Sequence, residues 1–225
     1  MITLHHLEHS RSQRIIWLLE ELGLPYEVKH YKRDPKTYLA PAELFEIHPL
    51  GKSPVITDGN ITVAESGAIV EYLIDKAGGK MRPEAGTQAH RDYVYWTHFA
   101  EGSAMPFLVM TLIFNKIEKA PLPFFLKPIV LPIARGISAQ VKNSFLNPNL
   151  ERQFKYLNDH LAKNTWFCGD QMTGADIMMI FPLEAAASRA ESIKRMPNIA
   201  AYVKRVHALP AYKKALEVGG PYDYA

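Results

Sequence analysis

Residues 54–69, PVITDGNITVAESGAI, decide how the rest of the chain is read. Two short β-branched runs, Pro54-Val55-Ile56-Thr57 and Ile61-Thr62-Val63-Ala64, flank Asp58-Gly59-Asn60. Turn chemistry between such runs predicts a hairpin. Ser66 then opens a helix with Ile69, Tyr72 and Leu73 on one face. Upstream, Ile2 to Leu7 is a short strand candidate. Arg11 to Gly23 places Ile15, Leu18, Leu19 and Leu22 at the i, i+3, i+4, i+7 spacing of an amphipathic helix, and Leu24-Pro25 punctuates it. Tyr26, Val28 and His30 alternate with charged residues as in a second strand. After Asp34-Pro35, a short helix candidate lies around Ala42 to Ile47. Residues 1–77 therefore read β-α-β-α-β-β-α.

From Gly78 the texture changes. Gly78-Gly79 and Pro83 to Gly86 make a Gly- and Pro-rich loop, a linker over 78–88. Beyond it there is no convincing strand. Gln88 to Ile117 carries Tyr93, Trp96 and Phe99 at helical spacing, and Pro106 is predicted to kink this long helix. Leu150 to Lys163 and Pro197 to Val218 also read as helices, the latter interrupted at Pro210. The second half, 89–225, is an all-α domain. Its stretch Pro121 to Ala134, broken by four prolines and Lys127, reads as a core or interface segment. Within Met172-Thr173-Gly174-Ala175-Asp176-Ile177, Thr173 is predicted to accept from the Asp176 N–H while the Asp176 carboxylate reaches back to the Thr173 N–H. That is a capping box, with Met172 and Ile177 as a hydrophobic staple, and it gives Asp176 a structural rather than a catalytic role.

Composition bounds the chemistry. The 225 residues, 48% hydrophobic and 22% charged, are ordinary for a globular chain and suit one large domain or two small ones. The net charge of +3 comes without a Lys/Arg cluster, which disfavours nucleic acid and anionic membranes as partners. Ala104 to Phe114, the most apolar stretch, is far short of the roughly 20 residues of a spanning helix. The start, MITLHHLEHSRSQR, lacks the basic flank and apolar core of a secretory signal, so a cytoplasmic location is expected. A single cysteine, Cys168, excludes an internal disulfide, a CxxC pair and a Cys-rich zinc site, and any sulfur chemistry needs sulfur from outside. Cys168 itself reads as a small core residue. His5 and His6 are adjacent on a strand and point to opposite faces, so with His9 they do not predict a metal site.

Four motifs, taken in order and spacing, resemble the cytosolic glutathione S-transferases, closest to a serine-type branch with fungal and bacterial members. They are His9-Ser10-Arg11-Ser12-Gln13-Arg14, His48-Pro49-Leu50-Gly51-Lys52-Ser53-Pro54-Val55, Glu65-Ser66-Gly67-Ala68-Ile69 and Thr173 to Asp176. The resemblance spans nearly the whole chain. It implies a thioredoxin-like α/β domain over 1–77 that binds glutathione as cosubstrate, and an all-helical domain that supplies an apolar pocket. It also implies a small hydrophobic electrophile or peroxide as second substrate, a detoxifying role and a homodimer. Two other readings stay open: a glutathione-dependent peroxidase or disulfide reductase on the same fold, and a non-catalytic binding or scaffold module.

The same resemblance assigns residues. Ser10, where thioredoxin-like redox proteins carry cysteine, is expected to donate its hydroxyl to the glutathione sulfur at the positive end of the first helix. A helix N-cap role is the alternative for it. Arg11 is a second candidate for the sulfur's partner, and Ser12 or a backbone N–H is a third. Pro54 is expected to follow a cis bond that turns the Ser53 backbone toward the ligand, against a trans proline starting an edge strand. Lys52 matches a contact to the glycyl carboxylate; on its own it is a surface lysine. Glu65 and Ser66 are expected to hold the γ-glutamyl ammonium and carboxylate, with Ser66 as a plain N-cap the alternative. The apolar pocket is expected around Met105 to Thr111.

Overall fold

The structure, a computed structural model, describes residues 1–187 and 196–224. The expected helical domain, 89–225, includes 188–195 and 225, which lie outside the described residues. Strand β1 (Ile2–Leu7) runs parallel to β2 (Tyr26–Tyr31) and antiparallel to β3 (Val55–Asp58), and β4 (Ile61–Ala64) closes the order β2-β1-β3-β4. A parallel pair needs a crossover, which α1 (Gln13–Leu22) supplies. Asp58 pairs with Ile61, so the hairpin turns on Gly59-Asn60 alone, with Gly59 at a φ of 62° that glycine adopts freely. The expected second helix is a 3₁₀ turn, Ala42–Glu46, and α2 (Ser66–Lys76) follows the hairpin.

Helix α1 departs from its amphipathic reading. It starts at Gln13 rather than Arg11, and Gln13, Arg14, Ile16 and Trp17 are buried along with the predicted face. The reason is tertiary: α1 packs on β1 and α2 and also meets two helices of the second half, those over Gly174–Ala187 and Pro210–Gly219. Periodicity within one segment cannot report a second partner.

The second half contains α3 (Gln88–Phe99), α4 (Met105–Ile117), α5 (Lys127–Val141), α6 (Asn147–Leu161), α7 (Gly174–Ala187), α8 (Pro197–Ala208) and α9 (Pro210–Gly219). The kink expected at Pro106 takes the form of a π-helical segment, Ala100–Ala104, just before it, and a second one, Lys142–Leu146, precedes Pro148. Proline has no N–H to give to the preceding turn, and a widened turn upstream accommodates the loss. Helix α7 is buried on every side and forms the centre of a core shared by both halves, with Trp17, Val70, Ile74, Tyr93 and Trp96. At its start a Cβ on Gly174 would stand 2.7 Å from the Ile74 side chain, so only glycine lets α7 approach α2 this closely.

The capping box holds in half. Thr173 N–H donates to Asp176 Oδ2 at 2.8 Å as predicted, but Thr173 Oγ1 accepts from the Ala175 N–H at 3.3 Å, and the Asp176 N–H goes to the Thr173 carbonyl. Asp176 also accepts from the Phe167 N–H and the Tyr202 hydroxyl, both at 3.0 Å. With the Thr173 hydroxyl, 3.2 Å from Oδ2, as a fourth donor, burial still lifts its pKa to about 6. Cys168 is half-buried rather than a core residue and accepts from Thr173 Oγ1 at 3.3 Å, and burial pushes its thiol up to about 12. It stays protonated and inert.

The segment Pro121 to Ala134 is not core. Its later half belongs to α5, and Phe124, Phe125, Ile129 and Ile133 stand exposed on the surface. Prolines at the helix start and at Pro132 kept it from reading as helix, and its apolar content overstated its burial. Among the described residues no helix is long and apolar enough to cross a membrane.

Candidate active site

The end of β1, the start of α1, the loop into β3 and the start of α2 converge on one edge of the N-terminal half. Between β1 and α1 the chain turns through His9, whose φ of 50° is unusual for a non-glycine residue. Contacts hold it there: its carbonyl accepts from Arg33 Nη2 at 3.5 Å, and its Nδ1 lies 3.2 Å from Asp223 Oδ1. This turn sets down Ser10, buried, with its Oγ 2.7 Å from Ser12 Oγ and accepting from the Ser12 N–H at 3.2 Å. Ser12 precedes α1 but its side chain caps no backbone N–H; Ser10 Oγ accepts from the Ser12 N–H and the Ser10 carbonyl from the Gln13 N–H, so Ser10 carries the capping contacts of the turn into α1 and lines the cavity as well.

The Ser53-Pro54 bond is cis, as expected. Ser53 Oγ donates to the His5 carbonyl at 2.8 Å and accepts from the Leu7 N–H at 3.2 Å, which ties the loop to β1 and leaves the Ser53 backbone for other partners. At the start of α2 the N-cap is Glu65 and Ser66 is the first helical residue, which corrects the N-cap alternative for Ser66. Glu65 has φ 71° and ψ 127°, a conformation that costs a side-chain-bearing residue about 1–3 kcal/mol. Such strain at a carboxylate beside a helix start is a mark of a functional position.

Two cavities open here. The first, about 350 Å³, is lined by Arg11, Lys52, Ser53, Pro54, Glu65, Ser66 and Glu101, with His48, Leu50 and Ala64. All five residues assigned to glutathione therefore share one cavity. The second, about 180 Å³, is lined by His9, Ser10, Arg11, Arg33 and Ser53 on one side and by Met105, Leu108, Val109, Leu112, Phe181, Ala185 and Tyr224 on the other. Arg11 and Ser53 belong to both walls, so the cavities abut, and Ser10 lines the second of them beside Arg11. Lys52 is exposed at the rim. A larger cavity of about 510 Å³ lies apart from these residues, around Lys80, Arg82 and Cys168.

Several lining residues were not legible in the sequence. Glu101, in the π segment, takes the guanidinium of fully buried Arg14 and lies 3.2 Å from Arg11 Nε. Arg14 also donates to the Met178 carbonyl at 2.8 Å, which locks α1 to α7. Burial pulls the Arg14 pKa below its ordinary value, and Glu101 opposes that pull. Arg11 and Arg14 sit 5.7 and 5.8 Å from the Phe181 ring centre. Tyr224 packs edge-on against Phe181 at 5.2 Å, while Tyr222 donates to buried Glu184 at 2.6 Å, so the C-terminal tail covers the apolar cavity. The expected pocket range Met105 to Thr111 contributes Met105, Leu108 and Val109. Phe181, Ala185 and Tyr224 come from distant segments that only the tertiary fold brings in.

The comparisons with known proteins agree with this arrangement. The family model for the glutathione S-transferase N-terminal domain matches residues 1–75, and that for the C-terminal domain matches 119–210. Glutathione S-transferase 3 of Schizosaccharomyces pombe is 39% identical over 96% of this chain and 87% of its own length. A crystal structure of a glutathione S-transferase from Actinobacillus pleuropneumoniae superposes with a TM-score of 0.78 at 35% identity, covering 100% of this chain and 95% of that one. A glutathione transferase from Burkholderia graminis, solved with two glutathione molecules bound per subunit, has a TM-score of 0.75 at 25% identity and covers 96% and 87%. With a thioredoxin-like sheet, a helical second half and these matches along the length of the sequence, the chain belongs to the glutathione S-transferase family.

Proposed function

We propose that the chain is a serine-type glutathione transferase whose thiolate stabiliser is Ser10 and whose second substrate is a small hydrophobic electrophile. The observation that carries this reading is that the two cavities share Arg11 and Ser53 as a common wall, with Ser10 lining the apolar one beside them. Glutathione lies in the larger of the two, its γ-glutamyl group at Glu65 and Ser66, its cysteinyl backbone along Ser53, and its glycyl carboxylate near Lys52. Its sulfur then reaches Ser10 beside the apolar wall of Met105, Leu108 and Phe181. The glutathione bound in the Burkholderia graminis relative supports the identity of the ligand.

The chemistry asked of Ser10 is modest. A free thiol ionises near pH 8.5, and lowering that to about 6.5 takes roughly 2.7 kcal/mol of preferential stabilisation of the thiolate. A charge-assisted hydrogen bond from Ser10, the positive end of α1 and the neighbouring Arg11 share this load. The thiol proton leaves to solvent, and the thiolate attacks the electrophilic carbon held against the apolar wall, forming the C–S bond as that carbon's leaving group departs with its electron pair. Proximity to that wall supplies the rest of the acceleration. The chain's own thiol does not compete, since Cys168 stays protonated.

The test is a pH titration of thiolate absorbance for bound glutathione. In the wild type the midpoint is expected near 6.5, and Ser10→Ala is expected to raise it by about one to two pH units. An unchanged midpoint in Ser10→Ala refutes the role given to Ser10.

A further inference from the structure

Behind Ser10 lies a buried polar chain that the reading above leaves unused. Ser12 Oγ is 2.7 Å from Ser10 Oγ, 2.8 Å from His6 Nδ1 and 3.2 Å from the Leu7 carbonyl oxygen. Ser12 and His6 are fully buried, at 0% and 1% exposure. Burial is the main cause that lowers the His6 pKa to about 4, so the ring is neutral, with one donor nitrogen and one acceptor. Two hydroxyl protons and one ring proton must therefore serve every contact in the chain.

Counting protons fixes a polarity. A thiolate at Ser10 takes the Ser10 hydroxyl proton, so the 2.7 Å contact survives only with Ser12 donating to Ser10. The single Ser12 proton then leaves the longer, 3.2 Å contact to the Leu7 carbonyl, which can only accept, and the 2.8 Å contact survives only with His6 Nδ1 carrying the ring proton. In the opposite tautomer, Ser12 donates to Nδ1 and the Ser10 proton turns inward to Ser12 Oγ, away from the sulfur. We propose that His6 and Ser12 are positioning residues: in the glutathione complex His6 donates from Nδ1 to Ser12, Ser12 donates to Ser10, and Ser10's own proton is left for the thiolate. The proposal rests on the role given to Ser10 above. Accepting from both the hydroxyl and the backbone N–H of Ser12 polarises Ser10 as a donor.

The surroundings of His6 and of the sulfur position bear on the test. His6 faces the His30 ring at 5.4 Å, with Glu8 and His9 also beside it, and the Gly219 backbone is a hydrogen-bond acceptor for the ring that competes with Ser12 Oγ for its one proton. Arg11, Glu101, Arg33 and the His9–Asp223 pair surround the sulfur position. None of these groups is altered in the variants that follow.

Two measurements test the proposal. In the wild-type glutathione complex, ¹⁵N shifts of His6 are expected to report a protonated Nδ1; a protonated Nε2 overturns it. In thiolate titrations, Ser12→Ala and His6→Leu are expected to raise the midpoint by about half to one pH unit, the weight of one hydrogen bond. His6→Asn, which keeps an N–H near the Nδ1 position, is expected to restore it, and affinity for S-methylglutathione, which has no thiol proton, is expected to be unchanged in all three. A midpoint that moves in Ser10→Ala but stays put in Ser12→Ala overturns this proposal alone. A midpoint unmoved in Ser10→Ala overturns the parent reading with it. The tautomer measurement uses the unaltered chain, so a His6 variant that fails to fold does not weaken the test.

Discussion

Asp176→Asn replaces the buried carboxylate at the start of α7 with an amide of the same size. Each carboxylate oxygen receives two donors, one of them a backbone N–H that cannot turn away: Oδ2 receives Thr173 N–H and hydroxyl, Oδ1 receives Phe167 N–H and the Tyr202 hydroxyl. Whichever oxygen becomes NH₂, one buried N–H loses its acceptor, at about 1–3 kcal/mol. A loss of about 2 kcal/mol at pH 7 is expected. The pH dependence is the sharper part. The native carboxyl titrates near 6 against an ordinary 3.8, so as pH falls the folded state takes up the proton first and gains stability. The contribution is complete below 3.8 and is lost as pH rises through 6. Between pH 7 and pH 5 the wild type gains about 1 kcal/mol from this group, and the amide gains nothing. The deficit of Asp176→Asn should therefore widen to about 3 kcal/mol at pH 5. Urea unfolding of both proteins at the two pH values measures the difference, in which titrations common to both cancel. A gap that stays constant or narrows at pH 5 refutes the reasoning.

Three further outcomes follow from the site. Glu101→Ala leaves the Arg14 guanidinium, with its side chain 1% exposed, without its carboxylate, and should lower stability by about 3 kcal/mol in denaturant unfolding. Glu65→Gly relieves a positive φ and should stabilise the fold by about 1 kcal/mol while weakening glutathione binding in calorimetry. Val109→Trp fills the apolar cavity from an exposed position on α4; kcat/KM for a hydrophobic electrophile should fall at least about tenfold, with glutathione affinity unchanged.

The N-terminal half was legible because its signals are local. Gly59 in a two-residue turn and Gly23 ending α1 with a φ of 68° are each set by a few neighbouring residues, whereas the cis bond at Pro54 was implied by the family resemblance. Lys52, Ser53, Pro54, Glu65 and Ser66 were assigned through the family resemblance of two motifs, and the hairpin between those motifs folds the five residues onto one cavity. What remained hidden depends on distant partners. Arg14 reads as the polar flank of an amphipathic helix until α7 and the π segment close over it. Phe181 reads as core, and only the C-terminal Tyr224 and the arginines beneath it make it a cavity wall. His6 was set aside as half of an unpromising metal pair, since adjacency to His5 says nothing about Ser12 behind it. The exposed α5 answers only the core half of the core-or-interface reading, because apolar composition alone does not say whether a segment is buried.

A crystal structure of the glutathione complex tests the central claim most directly. The account predicts the tripeptide in the cavity of Lys52, Ser53, Glu65 and Ser66, with its sulfur within about 3.5 Å of Ser10 Oγ and facing Met105, Leu108 and Phe181. A sulfur held by Arg11 or by a backbone N–H instead, or a cavity left empty at millimolar glutathione, contradicts it.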